Sequence, residues 1–82
     1  MKIKQAAAKC GLTEKAIRLY EEKGLISPPM TEINGRMFRD YDEETVSRLQ
    51  TISALRRAYA EDRLRTDEIE RRLPDILSEY EE

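Results

Sequence analysis

Apolar residues recur every three or four positions through most of this chain, and they alternate with polar ones in one short stretch near the middle. The first spacing is that of a half-buried helix and the second that of a strand. Ile3, Ala6, Ala7 and Cys10 form one side of a short helix, after which Gly11-Leu12 allows a sharp turn. The second helix, Thr13 to Gly24, is the stretch around which the rest is organised. Thr13 can cap the free amides of its first turn, Glu14 complements the positive end of its dipole, and Gly24 can supply a left-handed residue past its last turn. Ala16, Ile17 and Tyr20 make its buried stripe, while Lys15, Arg18, Glu22 and Lys23 fall outside it.

Ser27-Pro28-Pro29 cannot continue a helix, because proline lacks the amide donor and restricts the residue before it. Thr31 to Ile33 and Met37 to Tyr41 then flank Asn34-Gly35, a pair that tolerates positive φ and signals a tight hairpin. Arg36, Phe38 and Asp40 would occupy one face of the second strand, and Met37, Arg39 and Tyr41 the other. Two strands alone are not stable, so this ribbon must lie against the helices with Phe38 or Tyr41 as its anchor. That geometry is a wing.

Asp42 is a good N-cap for the next helix, and Glu43 and Glu44 suit its first turn. Val46, Leu49, Ile52, Leu55 and Tyr59 make it the longest amphipathic helix and the expected main wall of the core. Ala60-Glu61-Asp62-Arg63 reads either as its continuation or as a loop. Thr66-Asp67-Glu68 restarts a helix with Ile69 and Leu73 as apolar contacts. Pro74 is expected to end it and to open a final short segment with Ile76, Leu77 and Tyr80 on one side.

Composition narrows the class. The 82 residues form one expected domain, 1–82, with a thin core, since 39% are apolar and 39% charged. No apolar run approaches a span of ~20 residues and no signal sequence follows Met1, so the chain reads as soluble and cytoplasmic. Cys10 is the only cysteine and histidine is absent, which excludes an intramolecular disulfide and an ordinary zinc site by counting. Cys10 itself reads as a small buried side chain. With no cofactor motif, no Gly-rich phosphate loop and nothing to supply a nucleophile, base or metal, the chain does not read as an enzyme.

The net charge of −2 conceals an asymmetry. Residues 1–41 hold eight Lys or Arg against five acids, and residues 42–82 hold seven Arg against twelve acids. An anionic partner would meet the first half.

Two short helices joined by a tight Gly-containing turn make the helix-turn-helix pattern, whose second helix enters the major groove of DNA. Lys15 and Arg18 are then the candidates for base edges and phosphates, Thr13 and the helix N-terminus suit a phosphate, and Arg36 at the wing tip either enters a minor groove or is only solvated. Arg56, Arg57, Arg71 and Arg72 sit among acids and read as a solvated face.

These residues resemble the DNA-binding domain of the MerR family of bacterial regulators, whose recognition helix commonly reads Ser/Thr-x-x-Thr-Leu-Arg-Tyr-Tyr-Glu-x-x-Gly-Leu and whose wing reads Asn-Gly-Tyr-Arg-x-Tyr. Arg18, Tyr20, Glu21, Gly24 and Leu25 match the helix, and Phe38, Arg39 and Tyr41 take the wing positions. Leu19 replaces the first tyrosine of the pair, Arg36-Met37 lengthens the wing by two residues, and about four extra residues precede Thr66. The family usually continues into a long dimer helix and an effector-binding domain, neither of which this sequence contains.

The resemblance implies a mainly α fold, a winged helix-turn-helix of four to five short helices with a two-stranded wing. It divides the chain into a helix-turn-helix over 1–24, the wing over 30–41, a helical support over 42–73 and the start of a dimer or docking helix over 74–82. It further implies double-stranded DNA as the partner, with Arg18, Tyr20, Arg39 and Tyr41 contacting it largely through the backbone. For Tyr20 core packing is equally open, because it also lies on the buried stripe. For Arg39 the alternative is a surface pair with Asp40 or Asp42. The leading expectation is a sequence-specific transcriptional regulator reading the major groove with helix 13–23 and the flanking backbone with wing 34–41. Two others stand beside it: an excisionase-like or architectural DNA-binding factor, and a protein-interaction module that has lost DNA binding. A homodimer through the C-terminal segment is left open.

Overall fold

The computed structural model describes residues 1–61 and 66–81, and the side-chain surroundings of residues 1–60 and 68–79. In chain order the elements are α1 (Ile3–Cys10), α2 (Glu14–Glu22), β1 (Met30–Ile33), β2 (Arg36–Arg39), α3 (Glu43–Glu61) and α4 (Thr66–Glu81). The mainly helical fold with a two-stranded wing is the architecture expected. The described residues form two compact units, Met1–Gln50 and Thr51–Glu82, divided within α3.

In the first unit, local chemistry sets each boundary. Gly11 at φ 67° ends α1, with the Leu12 amide donating to the Ala7 carbonyl at 3.1 Å. Thr13 Oγ1 then accepts the Ala16 amide at 3.0 Å and opens α2. At the other end of α2, the Leu25 amide reaches the Tyr20 carbonyl at 2.8 Å and the Gly24 amide reaches the Glu21 carbonyl at 2.9 Å, with Gly24 at φ 77°. This pair of bonds is the Schellman cap, which requires a left-handed residue that glycine adopts without strain.

β1 and β2 pair antiparallel with Ile33 opposite Arg36, leaving Asn34-Gly35 as a two-residue turn. Both turn residues have positive φ, 52° and 79°, as a type I′ hairpin requires. Asp42 caps α3 through the Thr45 amide at 2.9 Å. The unit's core gathers Ala6 and Cys10 of α1, Leu12, Ile17 and Tyr20, Leu25 and Ile26, Tyr41, and Val46 and Leu49 of α3. Ile3 and Ala16, expected on buried stripes, are half-buried. Cys10 is buried as expected. Its Sγ lies 3.7 Å from the Val46 carbonyl, to which it can donate, and burial raises the thiol pKa. Arg48 Nε donates to the Leu25 carbonyl and ties α3 to the segment following α2.

In the second unit Ile52, Ile69, Leu73, Ile76 and Leu77 are buried. The expected stop at Pro74 does not occur: α4 runs through it as one helix. Proline in a helix interior costs ~3 kcal/mol, whereas each fully buried aliphatic side chain is worth roughly 1.5–3 kcal/mol. Ile69, Leu73, Ile76 and Leu77 lie on one helical stripe on both sides of Pro74, and Pro74 itself is exposed, so continuity wins. A second correction concerns Arg56, which is half-buried and pairs with Glu70 at 2.9 Å instead of joining a solvated face. The long helix continues through Ala60-Glu61, while Asp62 and Arg63, and the side chain of Tyr80, lie outside the described residues. The stripe of α3 thins along its length: Val46, Leu49 and Ile52 are buried, but Leu55 and Tyr59 only half so.

Candidate nucleic-acid interface

The buried stripe of α2 faces the core through Ile17 and Tyr20, which leaves Lys15, Arg18, Leu19 and Glu22 on the exposed side. Arg18 stands 3.6 Å from Glu14, an i, i+4 pair on the helix surface that leaves 65% of the arginine side chain exposed. Leu19, 37% exposed, places an apolar group among these charges. Such a group can meet a thymine methyl, as a cationic fork can meet guanine.

The wing lies beside this helix. Tyr41 is its anchor, 3% exposed, while Phe38 is half-buried with Lys2 Nζ over its ring at 5.5 Å. The ribbon is extended past β2 by the Asp40 amide donating to the Pro29 carbonyl at 2.8 Å and the Tyr41 amide donating to the Met1 carbonyl at 2.9 Å. Burial, more than any neighbouring charge, pushes the Tyr41 phenol pKa up, so its hydroxyl stays a proton donor.

Between α2 and the wing runs a groove of about 520 Å³, lined by Lys2, Ile3, Arg18, Glu21, Glu22, Phe38, Arg39 and Tyr41. Three of the seven predicted site residues, Arg18, Arg39 and Tyr41, meet there. Thr13 and Lys15 are exposed at the start of α2 and along it, and Arg36 is exposed beside the wing turn. Tyr20 is the departure. With no exposed surface it belongs to the core, and its hydroxyl has no path to a phosphate in this conformation. The stripe that packs α2 is the one that carries the tyrosine, which is the core-packing alternative.

Arg39 pairs with neither Asp40 nor Asp42. Its Nε donates to both carboxylate oxygens of Glu21, at 2.8 and 2.9 Å. That contact raises the guanidinium pKa further and keeps it a cation. The reason is strand alternation, which sends Arg39 and Asp40 to opposite faces. Asp40 instead accepts the Met1 amine at 2.6 Å, and Asp42 is engaged by Thr45, whose side chain first and backbone amide second lower its pKa. Glu21 is thus a site residue that sequence reasoning passed over. Its signal was an acid matched to the family motif in the half of the chain that carries excess positive charge.

Among the described residues no group of three or more Cys, Asp or Glu could hold a metal ion, and no helix is long and apolar enough to cross a membrane. Comparison with known proteins places the arrangement. Residues 1–73 match the model of the MerR HTH family regulatory proteins. The chain is 45% identical over 56 residues to the HTH-type transcriptional regulator CueR of Salmonella typhi, covering 68% of this chain and 39% of that protein. It is 41% identical over 58 residues to the HTH-type transcriptional regulator AdhR of Bacillus subtilis, covering 71% of this chain and 40% of that one. Among solved structures, the transcription regulator PbrR691 of Ralstonia metallidurans in complex with lead(II) matches with a TM-score of 0.59 and 33% identity, covering 100% of this chain and 59% of that one. The chain therefore spans about two fifths of the length of the two curated relatives and 59% of the solved chain. From the capped α2, the Asn-Gly wing beside it and these matches together, it follows that the chain belongs to the MerR family of helix-turn-helix regulatory proteins.

Proposed function

We propose that this chain is the DNA-binding module of a transcriptional regulator that lays α2 in the major groove and the wing along the flanking backbone. The observation that carries this reading is the groove that brings Arg18 of α2 and Arg39 of the wing together, with exposed Lys15 and Arg36 available beyond it. Arg18 and Lys15 supply base-edge and phosphate contacts, and Arg39, Arg36 and the Thr13 end of α2 supply backbone contacts that set register. Tyr41 holds the wing root and lines the groove. The role is one of binding and not catalysis, and it is exercised in the cytoplasm, where bacterial DNA lies.

We assign Ile76 and Leu77 to docking within their own chain, because they are 8% and 2% exposed. A homodimer would then use other surfaces. Selection from a random duplex pool across a salt series tests the whole reading, with an Arg18→Ala, Arg39→Ala double variant alongside. Enrichment of a defined site is expected. The double variant should lose that enrichment, and its salt slope should shrink by about 0.9 for each phosphate contact removed. Two half-sites on one helical repeat in the selected sequence would report a dimer, and clustered head-to-tail sites an architectural factor. Binding that is flat with salt, or absent at low salt, would refute the proposal.

A further inference from the structure

The acid in the groove calls for explanation, since a carboxylate beside a surface that meets phosphates repels them. Glu21 is held from three directions. It follows Tyr20, which is fully enclosed, its own carbonyl accepts the Gly24 amide of the helix cap, and its side chain is only 28% exposed. It is therefore a rigid point at the end of α2. The wing is the opposite case: a two-stranded ribbon with no independent stability, whose residues from Met30 to Ile33 are all exposed.

The contact between them uses Arg39 Nε on both carboxylate oxygens. Nε carries one of the five guanidinium donors, and the other four sit on the two Nη groups of a side chain that remains 54% exposed. A planar fork gripped at its root has its direction set while its tips stay available.

We propose that Glu21 is a positioning residue for DNA recognition: it aims the Arg39 fork and sets the pose of the wing against α2, so that helix and wing read one register together. The proposal rests on the DNA-binding reading above. Without Glu21 the wing still carries its positive charge, but that charge is no longer placed. Sequence preference then falls while general affinity for duplex does not.

The test compares the wild type with Glu21→Ala and Glu21→Gln, measuring affinity for the selected site and for random duplex, with thermal midpoints as fold controls. For Glu21→Ala the ratio of the two affinities should fall by about tenfold, the scale of one mismatched base pair, with random-duplex affinity unchanged or raised. Glu21→Gln keeps an oxygen acceptor for Nε and should restore most of the ratio. In the free protein, the Arg39 Nε–H resonance should move on Glu21→Ala, and the wing amides of residues 30–39 should become more mobile. If Glu21→Ala raises both affinities by the same factor, the residue is only a repelling charge and the proposal fails. Unchanged Nε–H and wing resonances would overturn it too, independently of DNA. A wild type without site preference defeats the DNA reading itself, which separates the two failures.

Discussion

Tyr20 and Tyr41 come from the same motif match and both are removed from solvent, yet they do different work. Tyr20 sits on the face that packs α2, with no exposed surface, while Tyr41 roots the wing and still lines the groove. Truncating Tyr20 to Ala should cost about 3–5 kcal/mol in urea denaturation, as for other large buried side chains. Tyr20→Phe should bind DNA with an unchanged salt slope, because a fully enclosed hydroxyl meets no phosphate. A changed slope for that variant would show that the hydroxyl reaches DNA after all. Periodicity placed Tyr20 on the stripe and the motif placed it in the site. Neither gave its depth, because depth depends on what distant segments bring against it.

At the scale of elements, caps and turns were the most legible features, since each is chemistry among residues a few positions apart. Thr13, Gly24, Asn34-Gly35 and Asp42 all act where their residue types predict. Pro74 departs from its sequence expectation for the complementary reason. A proline stop is a local rule, and it yields when a stripe on both sides of it is buried. Because Pro74 is exposed within α4, Pro74→Ala should remove a helix penalty without leaving a cavity. The variant should be more stable, by up to ~3 kcal/mol, and hydrogen exchange along α4 should slow. Faster exchange would mean that the proline ring itself packs.

At the scale of the whole molecule, three described groups, all in the first unit, make stability depend on pH. Cys10 and Tyr41 both have pKa values raised by burial. Their neutral forms favour the folded state, so that contribution is full below the ordinary thiol and phenol values of 9.0 and 10.0 and is lost as pH rises through the raised ones. Asp42 is shifted the other way by hydrogen bonds from the Thr45 side chain and then from its capping amide. Its contribution is present above the ordinary carboxylate value of 3.8 and is lost as pH falls through the lowered one. Urea midpoints should therefore be highest between about pH 4 and pH 9, and the double variant Cys10→Ala, Tyr41→Phe should flatten the alkaline decline. An unchanged alkaline limb would place its cause elsewhere.

Helix spacing, caps, the hairpin and the family motif were all decided within stretches of a dozen residues or so, and for that reason the element order and the fold class could be read without coordinates. Pairings across the chain could not. The Arg39 to Glu21 contact joins residues eighteen positions apart, and Arg56 meets Glu70 across two helices. Several acids stood near each arginine in sequence, and only strand alternation and helix packing selected one. How deeply each tyrosine is buried, which carboxylate grips the wing and whether Pro74 breaks its helix were settled by tertiary structure. In each case the deciding energy comes from surfaces that distant segments bury together, and no local pattern carries it.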